Sequence, residues 1–319
     1  MQLQNNIEKI ILENYVEYQD LFIEFQSNFL TGLYSRYQSV ENGNLVLYYV
    51  RQTHQDILRQ KDYDLNFNIN YEKLWKNHLE INPKAISIIK IAEQTLLPKE
   101  TTRRKILQLI KLKVLDKKNR NIGWLPNKNY KQSYNLFINK EIEDVGRLII
   151  FICKKLNYSI SKEELTTEIK EKFSFYWFHY LGAQLEYLRL WRTQINDLEL
   201  AHIFLQVAYL FTSKAKLENL SYEDLFDDPS VIKKSLVASI SATSISDTTK
   251  IPRATCVRKL EVLVRLKMIS QDKATKGYYI IPRAFSENLI SQNVTKNAVK
   301  CFSNFFFICT RAMNTKILS

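Results

Sequence analysis

The sequence predicts a mainly α fold in which one unit, a helical segment followed by a small compact module, occurs twice. Two observations carry that expectation. Only 6 Gly and 6 Pro occur in 319 residues, too few for a propeller, a many-hairpin sandwich or a Gly-rich phosphate cradle. Sliding the chain by 154 residues lays 86–123 on 240–277 without a gap, and 12 of those 38 positions are identical. Ordinary residue frequencies would give roughly two or three. At 45% apolar and 25% charged residues, the composition is that of a folded chain with a core.

The shared positions include Ser87/Ser241, Ile91/Ile245, Pro98/Pro252, Thr101/Thr255, Arg104/Arg258, Lys105/Lys259, Leu109/Leu263 and Gly123/Gly277. Upstream, 70–75 matches 221–226 at a shift of 151, and Phe25, Gly32 and Tyr37 fall on Phe175, Gly182 and Tyr187 at a shift of 150. The expected organisation is a helical segment 1–80, a module 81–130, a helical segment 131–235, a second module 236–290 and a helical tail 291–319.

Within the first module, Ser87 precedes a short apolar-periodic run. Its hydroxyl is placed to accept from the open amides of a first helical turn. Leu97-Pro98 then breaks the chain, and a second helix is expected from 99 to about 113. Its apolar positions Thr102, Ile106, Leu109 and Leu112 recur every three or four residues and should face inward. The apolar pair Val114-Leu115, a polar run over 116–121 and Ile122-Gly123-Trp124 then read as a small β-hairpin. The second copy repeats the pattern through Met268-Ile269, a polar run over 270–276, and Gly277-Tyr278-Tyr279. Two helices joined by a tight turn and followed by a hairpin make a helix-turn-helix with a wing.

These residues carry a family resemblance. The stretch 97–115, with Thr101, Arg103, Arg104 and Lys105 near its start, resembles the recognition-helix segment of bacterial winged helix-turn-helix regulators, the MarR-like and IclR-like groups among them. So does the stretch 251–269, with Arg253, Thr255, Arg258 and Lys259. The resemblance covers about 45 residues in each half and implies that the second helix of each module enters a major groove while the wing reaches the backbone or minor groove. Lys113 and Lys267 depart from the pattern, because a Gly often ends the recognition helix there.

Winged helices also bind proteins, so charge is the discriminating feature. The chain carries 46 Lys and Arg against 33 Asp and Glu, a net +13. Residues 84–128 hold 12 cations and 3 anions, and 250–283 hold 9 and 2, which leaves the rest of the chain net acidic. Concentrating the positive excess on two modules is the footprint expected for a phosphate backbone. Lys99, Thr101, Arg103, Arg104, Arg253, Thr255 and Arg258 are therefore expected to face the groove, where Arg bonds a guanine edge and Thr offers a hydroxyl or a methyl. Lys105, Lys117, Lys118, Arg120, Lys259, Lys273 and Lys276 are expected to hold phosphates.

Other features read as structural. Tyr180, Gln184, Tyr187 and Trp191 fit helical spacing and are expected to pack rather than to stack on bases. His179 and His202 read as core or boundary residues, Asp227-Asp228 as a loop, and Cys256 as a small inward-facing residue. The cysteines Cys153, Cys256, Cys301 and Cys309 form no C-x-x-C pair, so free thiols in a reducing compartment are expected. The first residues have neither a basic start nor an apolar core, so no secretory signal is expected, and no apolar run is long enough to span a bilayer.

The expected function is sequence-specific binding of double-stranded DNA by a cytoplasmic, nucleoid-associated transcriptional regulator. No metal, cofactor or catalytic residue and no membrane partner are expected, and the helical segments are candidates for self-association. Two alternatives are a replication initiator of the tandem winged-helix type and a winged-helix protein-interaction module of a chromosome-organising complex. The unlike pairs Glu100/Ala254 and Arg103/Val257 predict unlike half-sites.

Overall fold

A computed structural model describes residues 2–314 apart from 65, 66, 68, 77–80, 82, 83, 119, 120, 125, 127–130, 227–237 and 282–285. The fold is mainly α. In chain order the first half contains α1 (Gln2–Glu13), α2 (Tyr15–Tyr37), α3 (Val40–Tyr63), α4 (Lys73–Lys76), α5 (Ile88–Thr95), α6 (Lys99–Lys111), β1 (Asp116–Lys118), β2 (Asn121–Gly123) and α7 (Lys131–Lys155). The second half contains α8 (Lys162–Glu171), α9 (Phe173–Ile195), α10 (Leu198–Leu217), α11 (Tyr222–Phe226), α12 (Ala242–Thr249), α13 (Arg253–Arg265), β3 (Ser270–Gln271), β4 (Tyr278–Tyr279) and α14 (Leu289–Asn314).

The long helices α2 and α9 bury apolar residues on more than one face and keep a polar stripe outside, so each packs against several neighbours. In α2 the buried set runs Tyr15, Tyr18, Phe22, Phe25, Phe29 and Leu33 on one row, with Val16, Ile23 and Leu30 on another. Both helices end the same way. Gln38 and Asn196 take left-handed backbone (φ 57° and 52°), and the next residue caps the following helix. Ser39 accepts from Asn42 N–H, and Asp197 accepts from Glu199 and Leu200 N–H. A tight corner therefore folds α3 back on α2 and starts α10 after α9.

These corners are 158 residues apart, which corrects the upstream register expected from Phe25, Gly32 and Tyr37. At the observed offset the buried Gln26 corresponds to the buried Gln184, and Glu41 to Glu199. The match of 70–75 with 221–226 does correspond to equivalent helix starts: Asn70 caps Lys73 N–H and Ser221 caps Asp224 N–H.

Packing runs across the halves. The helix α2 lies against α10, and α9 against α3; α1 packs on α14, and α8 on α7. Phe22, Phe25, Tyr180, Tyr187 and Phe302 meet at the centre, with Phe22 and Phe302 rings 4.9 Å apart and Phe25 and Phe302 6.0 Å apart, both edge-on. Edge-on ring pairs contribute about 0.5–1.5 kcal/mol each beyond area burial. Phe302 belongs to α14, so the C-terminal segment expected as a tail is a core helix. Tyr180, Gln184, Tyr187 and Trp191 are all buried in this bundle, as expected.

Candidate functional site

Two segments outside the bundle share one local design. Ser87 accepts from Lys90 N–H and Ser241 from Ser244 N–H, starting α5 and α12. Thr95 and Thr249 turn their hydroxyls back onto Ile91 and Ile245 carbonyls at the far ends. Leu96 and Lys250 then take left-handed backbone (φ 55° and 63°), a buried Leu97 or Ile251 follows, and Pro98 or Pro252 opens the next helix. The Pro suits that place because its fixed φ suits the entry to a helix and its missing N–H forfeits no helical bond there.

The inner face of α6 is Thr102, Ile106 and Leu109, and that of α13 is Cys256, Lys259, Leu260 and Leu263. Thr102 donates to Pro98 O, and the Cys256 thiol to Ile251 O. Leu112 is exposed, contrary to the inward face expected of it. The helix stops at Lys111, and Lys113 swings into left-handed backbone at φ 56°, as Lys267 does at φ 57°. Lysine thus occupies the conformation that glycine usually supplies at a helix end.

A two-stranded antiparallel hairpin follows each helix. Asp116 pairs with Gly123 and Lys118 with Asn121, while Ser270 pairs with Tyr279 and Gln271 with Tyr278. The first strand of each hairpin therefore lies within the polar run that the sequence suggested as turn. Equivalent pairs also show that the second hairpin is two residues longer, so Gly123 and Gly277 do not correspond. Ile240 adds a single bridge to Tyr278.

Burial splits the expected site residues. Lys99, Arg103, Arg104 and Lys117 are exposed, as are Arg253, Arg258, Lys273 and Lys276. Thr101 and Thr255 are half-buried on the flanks of their helices. Arg253 Nε donates to Thr243 Oγ1 at 3.1 Å, and Arg103 lies 3.5 Å from Glu100. Arg104 and Arg258 have no hydrogen-bond or ion-pair partner among the described residues. Arg120 and the side chain of Lys118 lie outside the described residues, as do Asp227 and Asp228.

Lys105 and Lys259 face the other way, which corrects their assignment to phosphates. Lys105 Nζ is 3.2 Å from Glu41 Oε2 and 3.2 Å from Asn42 Oδ1. Lys259 Nζ is 2.5 Å from Asp197 Oδ2 and 3.2 Å from Glu199 Oε2. Their side chains are only 19% and 11% exposed. Lys105 binds one acid and an amide at the first turn of α3, and Lys259 two acids at the start of α10, where the helix dipole already favours anions. Glu41 also accepts from the buried Arg192 at 2.6 Å. Burial alone would raise the Glu41 carboxyl, but the hydrogen bonds and charges of Arg192 and Lys105 outweigh it and hold the group below the usual carboxylate range.

The outward faces also contain residues that the sequence expectation passed over. Glu100, Arg104, Leu107 and Lys111 form an exposed row at spacings of four, three and four, and Ala254, Arg258, Glu261 and Arg265 form the same row on α13. The signal was helical spacing counted from the arginine away from the buried face.

No family model, curated protein or solved structure matches the chain. Among the described residues no helix is long and apolar enough to cross a membrane, and no group of three or more His, Cys, Asp or Glu is placed to hold a metal ion. His202 is buried, with Nε2 3.0 Å from Thr31 Oγ1. An apolar cavity of about 40 Å³ lies under Trp191 and Phe204 between α2, α9, α10 and α14, room for about three waters.

Proposed function

We propose that the chain binds double-stranded DNA through two linked winged helix-turn-helix modules and acts as a transcriptional regulator at the nucleoid. In this reading α5, α6 and the β1–β2 hairpin form one module within 81–130. The second, within 236–290, comprises α12, α13 and the β3–β4 hairpin, and the two are copies of one unit. The observation that carries it is the pair Arg104 and Arg258. Each stands on the outward row of its helix, exposed and without an intramolecular partner, in a segment that holds the chain's positive excess.

A guanidinium left unpaired presents five donors in a planar fork, the geometry that suits phosphate oxygens and guanine edges. The helical bundle links the modules on one chain, so binding by the first raises the local concentration of the second at the same duplex. If the bundle holds the two recognition helices about 34–36 Å apart, one helical turn of DNA, both can occupy successive major grooves.

The test is a salt titration of duplex binding by the wild type and by Arg104→Ala/Arg258→Ala. Log affinity of the wild type should fall linearly with log salt as counterions are released. Absent or salt-insensitive binding across genomic fragments overturns the proposal. Footprints at repeated origin sites instead of promoters would replace the regulator with an initiator.

A further inference from the structure

One place on the outward rows breaks the likeness between α6 and α13. Leu107 is 47% exposed, and its counterpart 154 residues on is the exposed Glu261. Each follows the shared arginine by three residues and precedes a second cation, Lys111 or Arg265, by four. Both therefore occupy the middle of the row.

Neither side chain is explained by the fold. Leu107 leaves about half of its apolar surface in water between cations. Glu261 makes no ion pair or hydrogen bond among the described residues, although arginines flank it on the same face. Glu100 differs, since its carboxylate is engaged by Arg103. An unengaged carboxylate on a face that approaches phosphates weakens binding unless it meets a donor.

We infer, on the basis of the duplex reading above, that Leu107 and Glu261 set different base preferences for the two modules. Leu107 packs on the 5-methyl of thymine, the one apolar group that the four bases display in the major groove. Glu261 accepts a hydrogen bond from the N4 amino group of cytosine. Adenine also offers an amino donor, but its N7 acceptor lies beside it and repels a carboxylate, whereas cytosine presents no such neighbour. The preferred site is composite, with a thymine-bearing half under α6 and a cytosine-bearing half under α13.

The experiment selects bound sequences from a random duplex pool with the full-length wild type, L107E, E261L and the double exchange. The wild type should return a thymine under α6 and a cytosine under α13, L107E should replace the thymine with cytosine, and the double exchange should swap these two bases between the halves. Substituting uracil for that thymine removes only the methyl. It should weaken the wild type about three- to five-fold and leave L107E unaffected. Replacing the C·G pair with T·A should cost the wild type about ten-fold and E261L far less. Both positions are exposed, so melting should be unchanged. Variants that keep the wild-type salt dependence but select the wild-type bases overturn this inference alone. A wild type with no salt-dependent duplex binding overturns the duplex reading with it.

Discussion

Lys259 reaches across from α13 to Asp197, the residue that caps α10, with 2.5 Å between Nζ and Oδ2. Glu199 completes the clasp; Lys105 and Glu41 make its counterpart, and Arg192, which donates to both Glu41 and Asn196 O, links the two. Each clasp holds a cationic helix on the first turn of a bundle helix. Lys259→Ala leaves two partly buried carboxylates without their cation and should lower stability by about 1–3 kcal/mol, read from the urea midpoint. The same variant should keep the wild-type salt slope of duplex binding, whereas Arg258→Ala should lower it by about 1 if that arginine holds a phosphate. A reduced slope for Lys259→Ala would return that lysine to the interface.

Lys113 and Lys267 end their helices with left-handed backbone, at φ 56° and 57°. A side chain in that conformation costs about 1–2 kcal/mol that glycine avoids, partly offset by the greater freedom of glycine in the unfolded chain. Lys113→Gly and Lys267→Gly should each stabilise the protein by about 0.5–1 kcal/mol, measured by thermal or urea unfolding. Destabilisation by either would mean that the lysine side chain makes a contact worth more than the strain.

Three buried groups set opposing pH slopes. Burial pushes the Glu141 carboxyl up to about 8 against the pull of the Tyr180 hydroxyl that donates to it, while in an unfolded chain it ionises near ~4.3. The folded protein therefore keeps a proton that the unfolded chain has lost, and stability from this group falls between about pH 4.5 and 8. Burial pushes His54 and His202 down to about 3, against ~6.5 unfolded, so their contribution is lost as pH falls from about 6.5 to 3. Together the three place maximal stability between about pH 6 and 7. Glu141→Gln should remove the decline on the alkaline side and gain several kcal/mol, on the order of 5, at pH 8, read from urea unfolding at a series of pH values. An unchanged alkaline limb would show that another group controls it.

The local parts of the fold were legible because short-range rules decide them. Ser87 announced a helix start, and Thr102, Ile106 and Leu109 announced an inner face, all within one or two turns. The bundle was harder to read. In helices as rich in aromatic residues as α2 and α9, matches such as Tyr37 on Tyr187 arise at wrong registers. The corners that do correspond, Gln38-Ser39 and Asn196-Asp197, use different residues for the same backbone. Lys105 and Lys259 looked like phosphate ligands because a sequence displays a cation without the carboxylate facing it from another helix. The strands of the hairpins, two or three residues long, are too short for alternation to mark them.

The crossed packing of α2 on α10 and α9 on α3 has a mechanical consequence. The first module rests on α3 and touches α9, and the second rests on α10 and touches α2, so each is braced by both halves of the chain. Among the described residues, both cationic helices are tied to the bundle by these contacts. Shifting one against the other means shearing helices whose contacts include the rings of Phe22, Phe25, Tyr187 and Phe302. The span between α6 and α13 is therefore dictated by interlocked aromatic side chains at the centre of the molecule.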